Sequence, residues 1–321
     1  MTKQNHWSII QERGSLIGIK TLFAFYRYGG RYIALIILYP VIFYFFITGK
    51  TSRNASQNYL KKLHQCGYLA IKPGYMMSFR HFLSMGFSAL DKIDVWLGKI
   101  TFNSINHVNY HLFEPLLTTK QGALILGSHL GNLEVCRALS NDNSEAFFNV
   151  LVFTEHAQKF NEFLNTLNED VKINLIEVKE IGPDLAILLK EKIDQGEYVV
   201  IAGDRTSTTV AGRVIYNDFL GEPAPFSQGP FILAGLMQCP VLMMFCLKEQ
   251  NKYQLIFEQL STGVQWTRKT RQETLAQLIT DYAATLEKYC SLYPLQWFNF
   301  FDFWQRDDSA RATRIENNKS K

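Results

Sequence analysis

Beyond Lys99 the sequence is cut into short apolar runs, and this constrains the fold more than any other feature. Gly122-Ala-Leu-Ile-Leu-Gly127, Ala146-Phe-Phe-Asn-Val-Leu-Val-Phe153 and Tyr198-Val-Val-Ile-Ala-Gly203 are almost wholly apolar. Lys172-Ile-Asn-Leu-Ile-Glu-Val178 alternates apolar and polar residues, and Val241–Leu247 and Tyr253–Leu260 complete a set of about six expected strands. Stretches with helical spacing separate them, at about 132–140, 156–168, 183–194 and 226–238, and a longer one runs from Thr270 to Leu292. Strands apolar on both faces belong inside parallel sheets. Alternation of strand and helix then predicts an α/β fold, with a mixed, largely parallel central sheet flanked by helices.

The N-terminal part obeys different rules. Tyr32 to Gly49 carries no charge, and as a helix it would reach roughly 27 Å, close to the ~30 Å hydrocarbon thickness of a bilayer. Pro40 in its middle is expected to kink it. Tyr32, Tyr39, Phe43, Tyr44, Phe45 and Phe46 give it the aromatic character of an interface anchor. A cleaved signal is not expected, because the apolar run begins late and no small-residue cleavage site follows. Three arrangements remain open: a membrane anchor that spans or re-enters, an amphipathic helix in the interface plane, and a buried helix of a soluble protein. Residues 51–98 have helical spacing through Phe79, Phe82, Leu83, Phe87, Leu90, Ile93 and Trp96. The expected organisation is a basic, hydrophobic anchor over 1–50, a catalytic domain over 51–305 and a polar, disordered tail over 306–321.

Charge narrows the class of partner. The whole chain carries 33 Lys+Arg against 29 Asp+Glu, yet residues 1–63 hold nine Lys/Arg and the single acid Glu12. A basic end on a mildly acidic body points to a polyanion, and no nucleic-acid-binding motif occurs, so an anionic membrane is expected and nucleic acid is not. With 47% hydrophobic and 19% charged residues the chain is not intrinsically disordered. Five dispersed cysteines without a CxxC pair read as reduced thiols facing a cytosol.

The sharpest local pattern is Gly127-Ser128-His129-Leu130-Gly131-Asn132-Leu133-Glu134, where an apolar strand ends, turns and enters a helix. Sites in open α/β sheets gather at the carboxyl ends of strands. With His129 in the loop and Glu134 in the first helical turn, the carboxylate can reach back to one imidazole nitrogen while the other removes a proton from a hydroxyl. The same placement also suits a loop histidine that caps or packs locally. No metal is expected, since none of the other six histidines shows ligand spacing with His129, and there is no HExxH. Nor is there a GxSxG elbow, a Walker loop or a dinucleotide glycine pattern, and no cofactor is expected. A second pattern, Ile201-Ala-Gly-Asp204-Arg205-Thr206, ends another apolar strand and should open onto the same edge. Arg205 suits phosphate or carboxylate, and Asp204 either orients Arg205 or meets an acceptor hydroxyl. The aromatic segment Pro294-Leu-Gln-Trp-Phe-Asn-Phe-Phe-Asp-Phe-Trp304 reads first as a core plug, with Trp297 and Trp304 against the sheet edge, and otherwise as an acyl pocket or a bilayer contact.

Taken together these residues resemble the lysophospholipid acyltransferase superfamily, and within it the bacterial lipid A late (lauroyl/myristoyl) acyltransferases. The resemblance covers about residues 10–305 and rests on His129-Leu-Gly-Asn-Leu-Glu134, a form of the H-x4-D/E motif. Two features depart from the lipid A branch: Leu133 stands where tryptophan is common, and Gly-Asp-Arg stands where an Asp-Gln type sequence is common. The QWFNFFDFW ending, with the Leu133 variant, resembles a divergent subgroup linked to aryl polyene-type lipid synthesis. The resemblance implies an acyltransferase-like α/β sandwich and a membrane-bound O-acyltransferase of the inner membrane, working on the cytoplasmic side. Its donor would be an acyl thioester on acyl carrier protein, or acyl-CoA. Its acceptor would be a hydroxyl of a membrane lipid or glycolipid, such as a lipid A precursor or a lysophospholipid. His129 and Glu134 would be the catalytic pair, Arg205 would hold an anionic acceptor group with Asp204 beside it, and the amides of Gly131 and Asn132 would serve as oxyanion donors. An acyl thioesterase and a non-catalytic lipid- or carrier-binding accessory are the alternatives.

Overall fold

The computed structural model describes residues 16–133, 146–152, 173–178, 182–205 and 214–305. The helices expected at about 156–168 and over most of 132–140, together with Glu134 and the tail, lie outside the described residues.

The described residues begin with three helices, α1 (Leu16–Thr48), α2 (Lys50–Gln65) and α3 (Tyr75–Trp96). Beyond them come β1 (Asn106–Val108), α4 (Glu114–Thr118), β2 (Ala123–Gly127), β3 (Phe148–Val152) and β4 (Ile173–Glu177). Then follow α5 (Pro183–Asp194), β5 (Tyr198–Ala202), β6 (Val214–Phe219), β7 (Glu222–Ser227), α6 (Gly229–Met237), β8 (Val241–Glu249), β9 (Lys252–Ser261) and α7 (Arg271–Leu292). Among the described residues seven strands form one sheet in the order β1-β9-β8-β2-β5-β3-β4, and β6 and β7 form a separate antiparallel hairpin. Every neighbouring pair in the large sheet is parallel except β8–β9. The expected α/β architecture is therefore the observed one.

The period of two along each strand divides the core into two faces. Leu124, Leu126, Val199, Ile201, Met243 and Phe245 point to one side, where Leu189 and Ile193 of α5, Phe231 of α6 and Ile279, Tyr282 and Leu286 of α7 cover them. Ala123, Ile125, Tyr198, Val200, Leu242 and Met244 point to the other, against Phe113, Leu116 and Val95. All five residues of β2 are buried, which is why this run carries no polar alternation.

Helix α1 packs antiparallel on α3. Ala34, Leu38, Ile42 and Phe46, spaced by one helical turn, form a cluster with Phe82, Leu90, Ile93 and Trp96. At one end Arg31 bridges Asp91 at 2.6 Å and Asp94 at 2.5 Å. The opposite face of α1 is exposed through Tyr28, Tyr32, Ile36, Tyr39, Phe43, Tyr44 and Ile47. Tyr28–Thr48, with a mean hydropathy of 1.9, is long and apolar enough to cross a membrane by length and composition. The kink expected at Pro40 is found instead at Gly30, the one residue of α1 with non-helical dihedrals (φ 70°, ψ −178°). Proline removes one amide donor, but its own φ is helical, so the backbone passes through Pro40 without a break.

Candidate active site

The site stands on the pairing of β2 with β5. Gly127 lies in register with Ala202, so the residue two beyond each strand end, His129 on one and Asp204 on the other, emerges at the same place on the carboxyl edge. Their side chains meet there: His129 Nδ1–H donates to Asp204 Oδ1 at 2.7 Å, and the His129 backbone N–H donates to Asp204 Oδ2 at 2.8 Å. The indole Nε1–H of Trp297 donates to the same Oδ2 at 2.9 Å, and the Asn299 side-chain amide donates to the Asp204 carbonyl at 3.2 Å. Asp204 is completely buried, whereas the His129 side chain is 30% exposed. Among the described residues Nε2 has no hydrogen-bond partner, so the open nitrogen of the ring is the one facing away from the carboxylate.

The loop carrying His129 is strapped on both sides. Gly131 N–H donates to Gln296 O at 2.8 Å, Phe298 N–H to His129 O at 2.8 Å, and Asn132 N–H to Cys246 O at 2.8 Å. Gly131 (φ 84°) is required here on two counts, since a Cβ would lie 2.2 Å from Cys246 O and L side chains avoid that φ. Beneath the loop the buried Tyr282 hydroxyl donates to Gly127 O at 2.8 Å, and its ring presses so closely on Gly203 that a Cβ there would fall 2.7 Å from it.

The electrostatics set the protonation states. Burial alone would raise the Asp204 carboxyl, but the neighbouring His129 and the hydrogen bonds from His129 and Trp297 outweigh it and hold the acid below its ordinary range. His129 is lowered, first by burial and then by the charge of Arg205, with Asp204 opposing. The pair at neutral pH is thus an Asp204 carboxylate and a neutral imidazole with its proton on Nδ1. A neutral imidazole whose unprotonated Nε2 is open has the chemistry to accept a proton.

Several sequence expectations are refined. Asp204, expected beside Arg205 or an acceptor hydroxyl, is engaged with His129 and Trp297 and so orients the imidazole. The amides of Gly131 and Asn132 are corrected as oxyanion donors, because Gln296 O and Cys246 O already accept from them. The guanidinium of Arg205 lies 5.6 Å over the Phe301 ring, beside the pair. Trp297 fills the core as expected and also serves the site through its indole N–H, a polar role that an aromatic-rich segment does not announce. His81 sits within the helical spacing of α3, and no local motif marks it. It is completely buried, accepts from the Ser56 hydroxyl at Nδ1 (3.0 Å) and donates from Nε2 to the Trp297 carbonyl (2.8 Å), which braces the tryptophan that holds Asp204. Among the described residues no cluster of three or more His, Cys, Asp or Glu could hold a metal.

No curated protein matches the chain. Residues 75–306 match the family model of bacterial lipid A biosynthesis acyltransferases, a span that takes in α3, the whole sheet, His129, Asp204, Arg205 and Trp297. With most of its length covered by that model, the chain belongs to the bacterial lipid A biosynthesis acyltransferase family and is an acyltransferase.

Proposed function

We propose that the protein transfers a fatty acyl group from an acyl thioester, carried by acyl carrier protein, to a hydroxyl of a membrane lipid or glycolipid such as a lipid A precursor or lysophospholipid. The observation that carries this reading is the 2.7 Å bond from His129 Nδ1 to the buried Asp204, which leaves Nε2 unprotonated on the exposed side. Nε2 takes the acceptor hydroxyl proton as the oxygen attacks the thioester carbonyl. The tetrahedral intermediate collapses, the C–S bond breaks, and the departing thiolate recovers that proton from the imidazolium. Asp204 stabilises the transient imidazolium without itself taking up the proton. Arg205 holds an anionic group of the acceptor. Glu134, five residues beyond His129, is the second candidate carboxylate, and the two are separated by comparing Asp204→Asn with Glu134→Gln. We place the enzyme on the cytoplasmic side of a bacterial inner membrane, with the apolar face of α1 against lipid. That placement draws on the basic N-terminal segment and on the cytosolic location of carrier-protein thioesters.

The test is a lipid comparison by mass spectrometry in a strain lacking the gene, complemented with wild type or with His129→Ala. A lipid heavier by one acyl group, present with wild type alone, identifies acceptor and chain length. Release of free fatty acid without any acylated lipid would replace transfer by thioester hydrolysis. Full biological function of His129→Ala would make the protein a non-catalytic accessory.

A further inference from the structure

Beside the His129 loop lies a cavity of about 340 Å³ between α3 and the β8–β9 turn, within the ~300–1,000 Å³ usual for small-molecule sites. We propose that it receives the pantetheine arm of the thioester donor, an inference that rests on the acyl-transfer reading above.

Position comes first. β8 runs parallel to β2 but continues beyond it: Leu126 pairs with Met243, and the strand goes on to Glu249. Gly131 bridges to Cys246 on this overhang. The loop from Gly127 to Asn132 therefore leads from the sheet edge to the cavity wall, with His129 near its start and Gly131 and Asn132 lining the cavity at its far end. Phe298 ties the two together, since its amide donates to the His129 carbonyl and its residue lines the cavity.

Chemistry comes second. The polar wall is made by Ser84, Ser88 and Asp91 on one face of α3, by Asn132, and by Lys248 and Asn251 of the hairpin. Its one buried charge is already balanced: Asp91 Oδ1 accepts from Arg31 at 2.6 Å, and Oδ2 accepts from Lys248 Nζ and the Tyr253 hydroxyl, each at 2.7 Å. With the ammonium offset in this way, the cavity is poorly suited to a polyanionic headgroup, which Arg205 beside His129 suits better. Hydroxyls, side-chain amides and the rings of Phe87 and Phe298 match a thin neutral chain in which amide and hydroxyl groups alternate with methylenes. The arm that carries the sulfur in both carrier-protein and coenzyme A thioesters is such a chain. Asn132 belongs to the same wall, where its Nδ2 donates to Ser88 O at 3.1 Å and to the Tyr253 hydroxyl at 3.4 Å, which ties α3 to the hairpin across the base of the cavity.

The test uses the full chain in detergent or vesicles with two variants. Ser84→Leu narrows the cavity from a half-buried position. Asn251→Gly removes a side-chain amide from an exposed turn whose φ of 67° suits glycine. Ser84→Leu should raise KM by about tenfold for the carrier-protein donor and equally for acyl-CoA, with acceptor KM unchanged and kcat within about twofold; Asn251→Gly should act in the same direction by about threefold. Pantetheine itself should compete with the donor and bind more weakly to both variants in calorimetric titration. A rise in acceptor KM instead would assign the cavity to the acceptor and overturn the proposal. So would unchanged kinetics in both variants, or an effect confined to the carrier-protein donor, which would locate the contact on the carrier surface. If wild type transferred no acyl group from any thioester yet bound pantetheine, with binding lost in Ser84→Leu, the subsite would stand and the acyl-transfer reading would fall.

Discussion

At the carboxyl edge of the sheet, backbone hydrogen bonds on two sides fix the loop of His129, and the buried Asp204 carboxylate accepts from the imidazole, a backbone amide and an indole. Along α1, apolar side chains spaced by one turn rest on α3, two carboxylates hold Arg31, and the far face is apolar and exposed. The first region is complete within the chain, because a buried carboxylate is tolerable only when its acceptors are satisfied. The second is half complete, because a contiguous apolar face in water is costly until something covers it. Substitution in the first region should damage chemistry and fold together. On the exposed face of the second it should change membrane contact and leave the fold intact.

The largest separation of the two regions is kinetic. His129→Ala should abolish transfer, and Asp204→Asn should lower kcat by roughly 10³–10⁴ with KM little changed, since an amide side chain can favour the wrong imidazole tautomer. Single-turnover assays on vesicle-bound enzyme check this, and an Asp204→Asn variant with near wild-type kcat would transfer the orienting role to Glu134.

Gly131→Ala should destabilise by about 2–4 kcal/mol, combining a disfavoured φ with a clash against a backbone carbonyl that cannot move independently of β8. Denaturant unfolding measures it, and a loss under 1 kcal/mol would mean the strap is looser than its geometry.

The next effect depends on pH. Burial lowers His81 to about 4 from its ordinary 6.5. The unfolded chain binds the proton first, so the stability due to keeping His81 neutral is complete above the ordinary value and is lost as pH falls through the window from 6.5 to about 4. The loss amounts to about 3 kcal/mol. Unfolding curves for wild type and His81→Leu across that window should converge as pH falls. Parallel curves would count against the buried neutral ring.

Smaller still is a shift in the rate profile. Because His129 is held below its ordinary range, kcat/KM should already be on its plateau at neutral pH, with an acid limb below 6.5. Arg205→Gln removes a cation that opposes protonation of His129, so that limb should move upward. The smallest effect on the fold is expected at Ile36, which is 71% exposed. Ile36→Glu should change stability by less than about 0.5 kcal/mol yet weaken vesicle binding by about tenfold or more. Unchanged vesicle binding would remove this face of α1 from the membrane contact.

Much of this architecture is legible in the residues. The runs at Gly122–Gly127, Tyr198–Gly203 and Val241–Leu247 contain or open β2, β5 and β8, and the helical spacing at 183–194 and from Thr270 to Leu292 coincides with α5 and α7. The missed strands have local reasons. β1 is three residues of the sequence Asn-His-Val, held by β9 rather than by its own composition. β7 contains Pro223 and Pro225, which argue against a strand, yet a two-stranded hairpin tolerates them because each proline can lie on its unpaired edge.

The amino-acid order alone determined the strand–helix alternation, the uncharged N-terminal helix and the presence of His129 and Asp204 just past two apolar runs, because periodicity and local backbone preference are properties of neighbouring residues. Only the tertiary structure decided that His129 takes Asp204 as its partner. That choice depends on β2 and β5 being adjacent, parallel and in register at Gly127 and Ala202, and on Trp297 arriving from far along the chain to give Asp204 Oδ2 a second donor beside the His129 amide. Such pairings are set by which faces can be buried together, and no short segment of sequence carries that information.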